Sequence, residues 1–313
     1  MSVDVAVLLP CHNEEAAIAR VVADFRTALP EATIYVYDNL STDHTAYVAD
    51  EAGAVVRREL RKGKGNVVRS MFADIDADIY VMADGDGTYE AAAAPGMIEH
   101  LIHDRLDMVI GARIPVAGDE QVYPPGHAIG NMLFSRGVKT IFGENYTDVF
   151  TGYRVMSRRF VKSLPVASSG FEIETEISAH AARVLAGTKE ISTTYGSREV
   201  GSDSKLSTYR DGFRILWTIV KLIEEVRPLL FYGLLALFCT LIAMIIGVPV
   251  IIEFGKTHEV RRFPTAILAA AIATIAFLFL TAGIILRRVS HAQNESRRLI
   301  YLQIPHIGSK HDC

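Results

Sequence analysis

The chain has 313 residues, half of them hydrophobic, and a formal net charge of −4. Its mean hydropathy of +0.23 is too high for an ordinary soluble domain, and its negative net charge gives no reason to expect a nucleic-acid partner. The three cysteines, Cys11, Cys239 and Cys313, show neither the spacing of a metal site nor a disulfide framework.

Short apolar runs alternate with helical patterns through the first half of the chain. Strands are predicted at Val3–Leu9, Thr33–Tyr37, Ala54–Arg57, Ile79–Ala83 and Met108–Gly111. Helices are predicted at Glu14–Ala28, Asp43–Ala52, Gly65–Ile75 and Pro95–His103. Successive strand–helix units build a mainly parallel α/β sheet, which binds ligands outside the carboxyl ends of its strands. A nicotinamide-binding domain is excluded, because it needs a glycine-rich turn after the first strand and residues 8–15 contain no glycine.

Two aspartates, Asp84 and Asp86, end the apolar run that begins at Ile79. Residues two positions apart in a strand point the same way, so both carboxylates leave the strand on one side. The flanking Gly85 and Gly87 let the backbone approach a ligand closely. Paired carboxylates with few other protein ligands suit a divalent ion that also holds substrate phosphates. We therefore predict a metal–diphosphate site here, although Asp-Gly-Asp-Gly is also common turn chemistry.

Lys64 lies between Gly63 and Gly65 at the start of a predicted helix. Backbone N–H groups and the positive end of the helix dipole favour anions at such a position. We interpret this lysine as a contact of a substrate diphosphate. The alternative is a solvated basic turn that also contains Arg61 and Lys62.

Asp38 follows the second predicted strand. It could cap the next helix, but Ser41 or Asp43 can take that role and leave Asp38 for a ligand. Asp38 is therefore a candidate binding residue, with helix capping as the alternative.

Two long apolar runs lie near the C-terminus. Leu229–Ile252 and Pro264–Leu286 each exceed the roughly 20 residues that span a bilayer, and neither contains a charged side chain. We predict transmembrane helices rather than the buried hairpin of a soluble protein, because charged residues flank both runs. The predicted organisation is a catalytic domain at 1–205, an amphipathic juxtamembrane helix at 206–228, spans at 229–252 and 264–286, an extracytoplasmic loop at 253–263 and a cytosolic tail at 287–313.

The first residues, MSVDVAVLLP, lack the basic region of a signal peptide, and basic residues flank the outer ends of the two spans. Both features favour a cytosolic catalytic domain on a multi-pass protein of the inner (cytoplasmic) membrane. Trp217 would lie at headgroup level on the juxtamembrane helix. The same apolar stripe would suit self-association, so a dimer or tetramer stays open.

Eight short motifs follow one another along the chain. They are LLPCHNEE (8–15), YDNLSTDHT (37–45), GKG (63–65), DGD (84–86), GAR (111–113), TGYR (151–154), FEIETE (171–176) and GSDSKL (201–206). Together they resemble those of family 2 glycosyltransferases, and in particular the polyprenyl-phosphate glycosyltransferases, the group of dolichyl-phosphate mannose synthase and the bactoprenol glycosyltransferases. The likeness runs from residue 3 to about 230. It implies a GT-A fold, with a Rossmann-like, mainly parallel α/β sheet, followed by an interfacial helix and two transmembrane helices.

The resemblance also implies roles for the matching residues. Nucleotide-sugar binding is expected at Pro10, His12, Asn13, Glu14, Asp38, Lys64, Asp84 and Gly85. A Mg²⁺ or Mn²⁺ ion is expected on Asp86 and Asp84, and catalytic roles at Asp86, Arg113, Asp148 and Glu172. The acceptor phosphate is expected at Arg113, His127, Asn131, Arg154, Arg198, Ser202 and Lys205.

Three positions depart from the family pattern. His12 stands where an aromatic Tyr is frequent, Thr88 where mannose synthases place Gln, and Gly152 where some glucosyl-transferring relatives have Asp. No general base is therefore obvious. A phosphate acceptor needs none, because its second pKa is about 6 and its attacking oxygen is mostly deprotonated at neutral pH.

The resulting hypothesis is an inverting, metal-dependent enzyme of cell-envelope glycan biosynthesis. It would move one sugar from a nucleoside diphosphate sugar, with a UDP-sugar as the expected donor, to a polyprenyl phosphate at the cytosolic face of the membrane. A processive polysaccharide synthase is the rival enzyme, but its Gln-x-x-Arg-Trp motif is absent, since the one tryptophan, Trp217, follows Ile215 and Leu216. A non-catalytic membrane scaffold that binds nucleotide sugar is the alternative from another class, and the intact pair Asp84 and Asp86 argues against it.

Overall fold

The computed structural model describes residues 3–115, 148–170, 172–196, 220, 224 and 227–307. The elements up to residue 103 are β1 (Val5–Cys11), α1 (Glu15–Ala28), β2 (Thr33–Asp38), α2 (Thr45–Glu51), β3 (Val55–Arg58), α3 (Lys64–Asp74), β4 (Ile79–Met82), a 3₁₀ turn (Ala91–Ala93) and α4 (Ala94–His103). The remaining elements are β5 (Met108–Pro115), β6 (Arg154–Ser157), α5 (Arg158–Ser163), α6 (Ile173–Val184), β7 (Thr188–Tyr195), α7 (Pro228–Thr257) and α8 (Phe263–Gln303).

The strands and helices predicted for the first half of the chain are confirmed. Their ends agree within two residues, except that β5 continues to Pro115. The reason is its pairing with β7, which extends from Met108 opposite Thr188 to Pro115 opposite Tyr195. Non-local pairing of this kind leaves no mark in the local sequence.

Seven strands form one mixed sheet in the order β3-β2-β1-β4-β6-β5-β7. Neighbours from β3 to β4 are parallel, as are β5 and β7, whereas β6 runs antiparallel to both β4 and β5. The amino end of β6 therefore lies at the same edge of the sheet as the carboxyl ends of β4 and β5. This edge, called the ligand edge below, is where the sequence placed the polar motifs.

Apolar side chains cover the faces of the sheet. Strands β1 and β4 are buried along almost their whole length, as expected where helices lie on both faces. On α1, Ile18, Val22 and Phe25 recur at helical spacing and are almost fully buried. This packing fixes the strands and leaves the loops at the ligand edge to carry polar groups.

The helices α7 and α8 are each long and apolar enough to cross a membrane. Small buried side chains recur every seven residues on α7, at Ala236 and Ala243, and on α8, at Ala269 and Ala276. Small residues of this kind let two helices approach closely in a membrane. The predicted juxtamembrane helix at 206–228 lies mostly outside the described residues.

The chain divides into two compact units, residues 1–207 with 296–313 and residues 208–295. The last turns of α8 thus belong to the unit that contains the sheet, called the sheet unit below. Tyr301 on these turns is almost fully buried, its hydroxyl donates to the Asp107 carboxylate, and Arg159 stacks on its ring at 4.6 Å. The tail predicted after the second apolar run therefore contains a helical part that packs on the sheet unit.

Candidate active site

The loop after β1 lies at the ligand edge and is tied to the loop after β2. Asn13 has a left-handed backbone with φ 56°, which Asn tolerates, and its side-chain oxygen accepts from the Thr42 N–H at 2.8 Å. The Asn13 N–H donates to Ser41 Oγ at 2.9 Å, and the Glu14 N–H donates to Thr45 Oγ1 at 2.8 Å. The polar residues after β2 therefore fix the loop that the sequence assigns to the nucleotide.

Two residues assigned to nucleotide-sugar binding pack beneath this loop. Pro10 lies inside β1, where it is buried and pairs in register with Tyr37, so the exposed part of the loop begins at His12. Gly85 packs against the end of β1, because an added Cβ would lie 2.3 Å from Cys11 Sγ. Burial raises the pKa of this thiol, as do the surrounding carboxylates. The thiol is therefore a neutral packing group at neutral pH.

Asp38 ends β2 and is only 5% exposed. Its Oδ1 is buried and accepts no hydrogen bond from any residue that the structure describes. A buried oxygen left in this state costs about 1–3 kcal/mol, which a ligand N–H would recover. The next residue, Asn39, accepts from the Gly63 N–H at 2.7 Å and donates to the Arg61 backbone oxygen at 2.8 Å, so it joins the β2 end to the start of α3.

Asp84 and Asp86 follow β4 at the ligand edge. Asp86 is 4% exposed, and its Oδ1 accepts from the Thr88 hydroxyl at 2.6 Å and from the Thr88 N–H at 3.2 Å. Thr88, at the position of a possible third ligand, therefore orients the Asp86 carboxylate. Among the described residues, no group of three or more His, Cys, Asp or Glu side chains is arranged to hold a metal. Two carboxylates nevertheless fit Mg²⁺ or Mn²⁺ that takes its remaining ligands from substrate phosphates and water.

Lys64 is the first residue of α3, and its ammonium bonds the carboxylates of Asp84 and Glu174, the latter at 2.6 Å. These three side chains are called the lysine cluster below. Burial lowers the pKa of Lys64, but the two carboxylates outweigh it and leave the pKa above its ordinary value. Burial raises the pKa of Glu174, the charge of Lys64 only partly opposes the rise, and the nearby negative charge of Asp84 adds to it. The turn before the lysine requires glycine, since Gly63 has φ 121° and a Cβ there would meet the Ser169 oxygen at 2.1 Å.

The place of Glu172 near the sugar stays a prediction, but the residue of this acidic segment that bonds Lys64 is Glu174. Glu172 is exposed, precedes the first residue of α6, and accepts from the Gly170 N–H at 3.2 Å. Glu174, two residues later and about 200° around the helix, is 4% exposed and points to Lys64. The sequence indicated that the acidic residues of this helix could not all share one site, because Glu172 and Glu176 lie on one face and Glu174 on another.

Arg113 on β5 is held by Asp148 in a two-bonded ion pair, with Nε to Oδ2 at 2.6 Å and Nη2 to Oδ1 at 2.8 Å. The guanidinium also lies over the ring of Tyr195 at 5.3 Å. Both partners are largely buried, with 16% of the arginine and 11% of the aspartate side chain exposed. This arginine pair, as it is called below, presents a planar cation in a fixed orientation.

Arg154, which the sequence assigned to the acceptor phosphate, is bonded within the protein. Its side chain is fully buried, and the guanidinium donates to the backbone oxygens of Val149 and Thr151, at 2.8 and 3.1 Å, and to Ser178 Oγ at 3.0 Å. These bonds support the segment that leads from Asp148 into β6. A charged residue at a strand start gave no local sign of this burial.

The sheet order sets the order of these groups along the ligand edge. Asp38 belongs to β2, Asp84 and Asp86 follow β4, and Arg113 belongs to β5, with β1 and β6 between them. With strands about 4.8 Å apart, successive groups are roughly 10 Å apart. The lysine cluster thus lies between the orphan oxygen of Asp38 and the arginine pair.

Tyr89 is a residue of this edge that the sequence reasoning missed. Its phenol oxygen accepts from the Gly152 N–H at 2.9 Å. Gly152 itself lies close against Asp84, so the aspartate found in some relatives would crowd that carboxylate, because a Cβ would lie 3.0 Å from both of its oxygens. Five other predicted acceptor residues fall outside the described residues, namely His127, Asn131, Arg198, Ser202 and Lys205.

The sequence profile of Glycosyl transferase family 2 matches residues 6–164. The chain belongs to glycosyl transferase family 2. This glycosyltransferase is 58% identical over 126 residues to Protein RfbJ of Shigella flexneri, which is 40% of the chain and 97% of that protein. It is 35% identical over 238 residues to Glycosyltransferase AglJ of Haloferax volcanii, covering 73% of the chain and 75% of the relative.

Two further comparisons concern a lipid-related relative and the fold. The glycosyltransferase is 26% identical over 215 residues to the undecaprenyl-phosphate mannosyltransferase of Micrococcus luteus, covering 65% of the chain and 87% of the relative. A crystal structure of glucosyl-3-phosphoglycerate synthase from Mycobacterium tuberculosis with Mn²⁺, UDP and phosphoglyceric acid matches with a TM-score of 0.57 and 21% identity, over 71% of the chain and 78% of that structure. The predicted family, enzyme class and GT-A fold are thereby confirmed.

Proposed function

We propose that this glycosyltransferase moves one sugar from a UDP-sugar to a polyprenyl phosphate at the cytosolic face of the inner membrane, with inversion and with Mg²⁺ or Mn²⁺. The observation that carries the proposal is the order of groups on the ligand edge: an orphan buried carboxylate oxygen at Asp38, then the lysine cluster beside Asp86, then the arginine pair. This order of groups suits a nucleoside diphosphate sugar followed by an acceptor phosphate.

The donor half of the proposal starts at Asp38. Its orphan oxygen suits a base that presents an N–H group, as uracil does, and the fold-level neighbour with bound UDP supports that choice. Lys64 brings a positive charge to the diphosphate, and its two carboxylate partners hold the ammonium in place. A divalent ion held by Asp86 and Asp84 offsets negative charge on the departing diphosphate.

The acceptor half relies on Arg113, whose planar fork binds phosphate oxygens in pairs. Asp148 keeps that fork oriented. A phosphate oxygen attacks the anomeric carbon while the bond from that carbon to the diphosphate breaks. No base is required, because the attacking oxygen of a phosphate monoester is already mostly deprotonated at neutral pH. Both carboxylates nearby, Glu174 and Asp148, are already engaged by cations.

A lipid acceptor is supported by two observations. The helices α7 and α8 are apolar enough to cross a membrane, and one relative is an undecaprenyl-phosphate mannosyltransferase. A membrane-attached enzyme and a polyprenyl phosphate meet in two dimensions, which raises the effective concentration of the acceptor.

The test is an assay of the full-length protein with radiolabelled nucleotide sugars and undecaprenyl phosphate in detergent. We expect thin-layer chromatography to show one lipid-linked sugar from a UDP-sugar, lost on chelation and restored by Mg²⁺ or Mn²⁺. Asp86→Asn should abolish the product and weaken Mn²⁺ binding measured by electron paramagnetic resonance with UDP present. Asp76→Asn, on an exposed carboxylate, should change neither. A growing polymer would favour a synthase, and no product from any donor would favour a scaffold.

A further inference from the structure

The ring of Tyr89 is held between two other tyrosine rings. Its centroid lies 5.3 Å from that of Tyr153 and 5.4 Å from that of Tyr195. Backbone contacts fix the same position, because Tyr89 forms a bridge with Tyr195 on β7 and the Gly196 N–H donates to the Thr88 oxygen at 2.9 Å. The phenol group is therefore set by the strands of the ligand edge.

The phenol oxygen lies next to the lysine cluster. It accepts from the Gly152 N–H at 2.9 Å, and the side chain of Thr151 interacts with it as well. On its other side, the bare Cα of Gly152 faces the Asp84 carboxylate, since an added Cβ would lie 3.0 Å from both carboxylate oxygens. One glycine thus separates the phenol from the aspartate.

The surrounding charges keep this phenol protonated. Burial raises its pKa, Asp84 raises it further, and Arg113 and Lys64 oppose the rise without cancelling it. Both the lysine cluster and the arginine pair are thus close enough to act on Tyr89. A protonated phenol between two charged groups is a neutral hydrogen-bond donor.

The position of Tyr89 along the ligand edge indicates which part of the substrate its hydroxyl would contact. The lysine cluster follows β4 and Arg113 belongs to β5, two strands away, which is roughly 10 Å. Under the proposed function, the diphosphate lies at the first group and the acceptor phosphate at the second, so the sugar ring occupies the stretch between them. Tyr89 contacts that stretch, and its neutral hydroxyl suits a neutral partner, whereas the two phosphates have Lys64 and Arg113.

We propose that the Tyr89 hydroxyl donates a hydrogen bond to one hydroxyl group of the transferred sugar and so contributes to the choice of donor. The inference rests on the proposed function for the place of the sugar. It adds a residue to the site whose role is discrimination between sugars rather than charge neutralisation.

The test is Tyr89→Phe in the full-length enzyme, measured with the preferred UDP-sugar and its monodeoxy analogues. Loss of one hydrogen bond to the sugar should lower kcat/KM for the full sugar by about 10- to 100-fold. With the wild-type enzyme, one deoxy analogue should lose a similar factor. With Tyr89→Phe, that analogue should lose nothing further, because the two changes remove the same bond.

A matched control is Tyr153→Phe. This variant removes a phenol hydroxyl from the adjoining ring, but the hydroxyl donates to the Glu90 backbone oxygen at 3.0 Å, so the ranking of the deoxy analogues should stay that of the wild type. If Tyr89→Phe lowers kcat/KM by the same factor for every analogue, or lowers UDP affinity equally, the hydroxyl serves only the fold and the inference fails.

A binding measurement separates this inference from the proposed function. Titration calorimetry gives the ratio of the dissociation constants for UDP and for the UDP-sugar, which measures the contribution of the sugar without any acceptor. We expect Tyr89→Phe to reduce that ratio at least several-fold while UDP binding changes less than about twofold. An unchanged ratio overturns the inference even if lipid glycosylation is observed. A wild-type enzyme that binds UDP-sugar but glycosylates no lipid overturns the acceptor assignment and leaves the Tyr89 measurement valid.

Discussion

At the scale of single residues, Lys64 is one cation shared by two carboxylates, the half-buried Asp84 and the buried Glu174. The cluster therefore carries a net negative charge when all three groups are ionised, so under the proposed function a divalent ion would accompany the diphosphate there. This explains why an acidic cluster can serve an anionic donor.

We expect Glu174→Gln to lower kcat/KM for the nucleotide sugar by about 100-fold, because the Lys64 ammonium loses a charged partner and shifts in its site. The matched control is Glu172→Gln, on the exposed carboxylate of the same acidic segment, which should stay within about twofold of wild type. Steady-state kinetics of both variants measure the difference. Equal losses, or a larger loss for Glu172→Gln, would show that the cluster has been assigned to the wrong glutamate.

His180 is a neutral histidine in the interior of the sheet unit. It is 1% exposed, its Nε2 lies 2.9 Å from Ser163 Oγ, and the ring of Phe160 packs edge-on at 5.2 Å. Burial and the positive charges of Arg297 and Arg183 lower its pKa from 6.5 to about 3. The unfolded chain binds a proton at this residue over a pH range in which the folded protein does not.

The free energy of unfolding of the sheet unit should therefore fall as the pH is lowered below about 6.5, by up to about 1.4 kcal/mol per pH unit, until the folded pKa is reached. Thermal unfolding in detergent over this pH range measures the slope. His180→Gln should make the slope shallower, whereas His103→Gln, at a side chain that is 83% exposed, should keep it. A slope that His180→Gln leaves untouched would assign the acid sensitivity to other groups.

At the scale of elements, the end of α8 completes a polar cluster in the sheet unit. Asp107 is fully buried and accepts from Arg159 at 2.5 Å through both oxygens, from Ser157 Oγ at 2.7 Å, and from Tyr301. Arg298 on the same helix end donates to the backbone of α6. The last turns of α8 are therefore part of the folded sheet unit.

We expect Tyr301→Phe to destabilise the sheet unit by about 1.5–3 kcal/mol, the usual contribution of a hydrogen bond to a buried charged group. Leu302→Ala, at the next residue with 56% exposure, should change the free energy of unfolding by less than about 0.5 kcal/mol. Chemical denaturation followed by far-UV circular dichroism measures the free energy of unfolding of both variants. Similar stabilities for the two variants would mean that the helix end does not dock in solution.

The elements also show what the sequence could predict. Strands β1 to β5 and helices α1 to α4 carry apolar periodicity that local reading detects, and the glycine-flanked aspartates after β4 marked the ligand edge. Strand β6 was missed, because four residues that begin with Arg154 have no strand pattern of their own and pair only through the sheet. The sequence led us to assign a site role to Glu172 and none to Glu174. The direction of each side chain depends on the residue at which α6 begins, and a sequence leaves helix ends uncertain by about a turn.

At the scale of the whole molecule, the chain combines a family 2 glycosyltransferase fold with two apolar helices. A catalytic unit that uses a sugar nucleotide and a lipid phosphate must lie on the side of the membrane where the nucleotide is made. Basic residues such as Arg227 before α7 and Arg287 and Arg288 within α8 favour a cytosolic position for the segments next to the apolar runs. The turn between the helices also carries Lys256, Arg261 and Arg262, so the charge bias is small and the orientation requires a direct test.

The final prediction is that both ends of the helical hairpin face the cytosol. A cysteine at Lys256, exposed at the end of α7, should react with a membrane-impermeant thiol reagent in intact cells, in a background that lacks Cys11, Cys239 and Cys313. A cysteine at Glu51, exposed at the end of α2, should react only after the cells are opened. In the intact cell the membrane would separate the cytosolic sheet unit from the reagent. Mass shift of the modified protein on a gel measures both. Labelling of Glu51→Cys in intact cells together with protection of Lys256→Cys would show the opposite orientation. The catalytic unit would then have no access to a cytosolic nucleotide-sugar pool, even if the purified protein still glycosylates lipid.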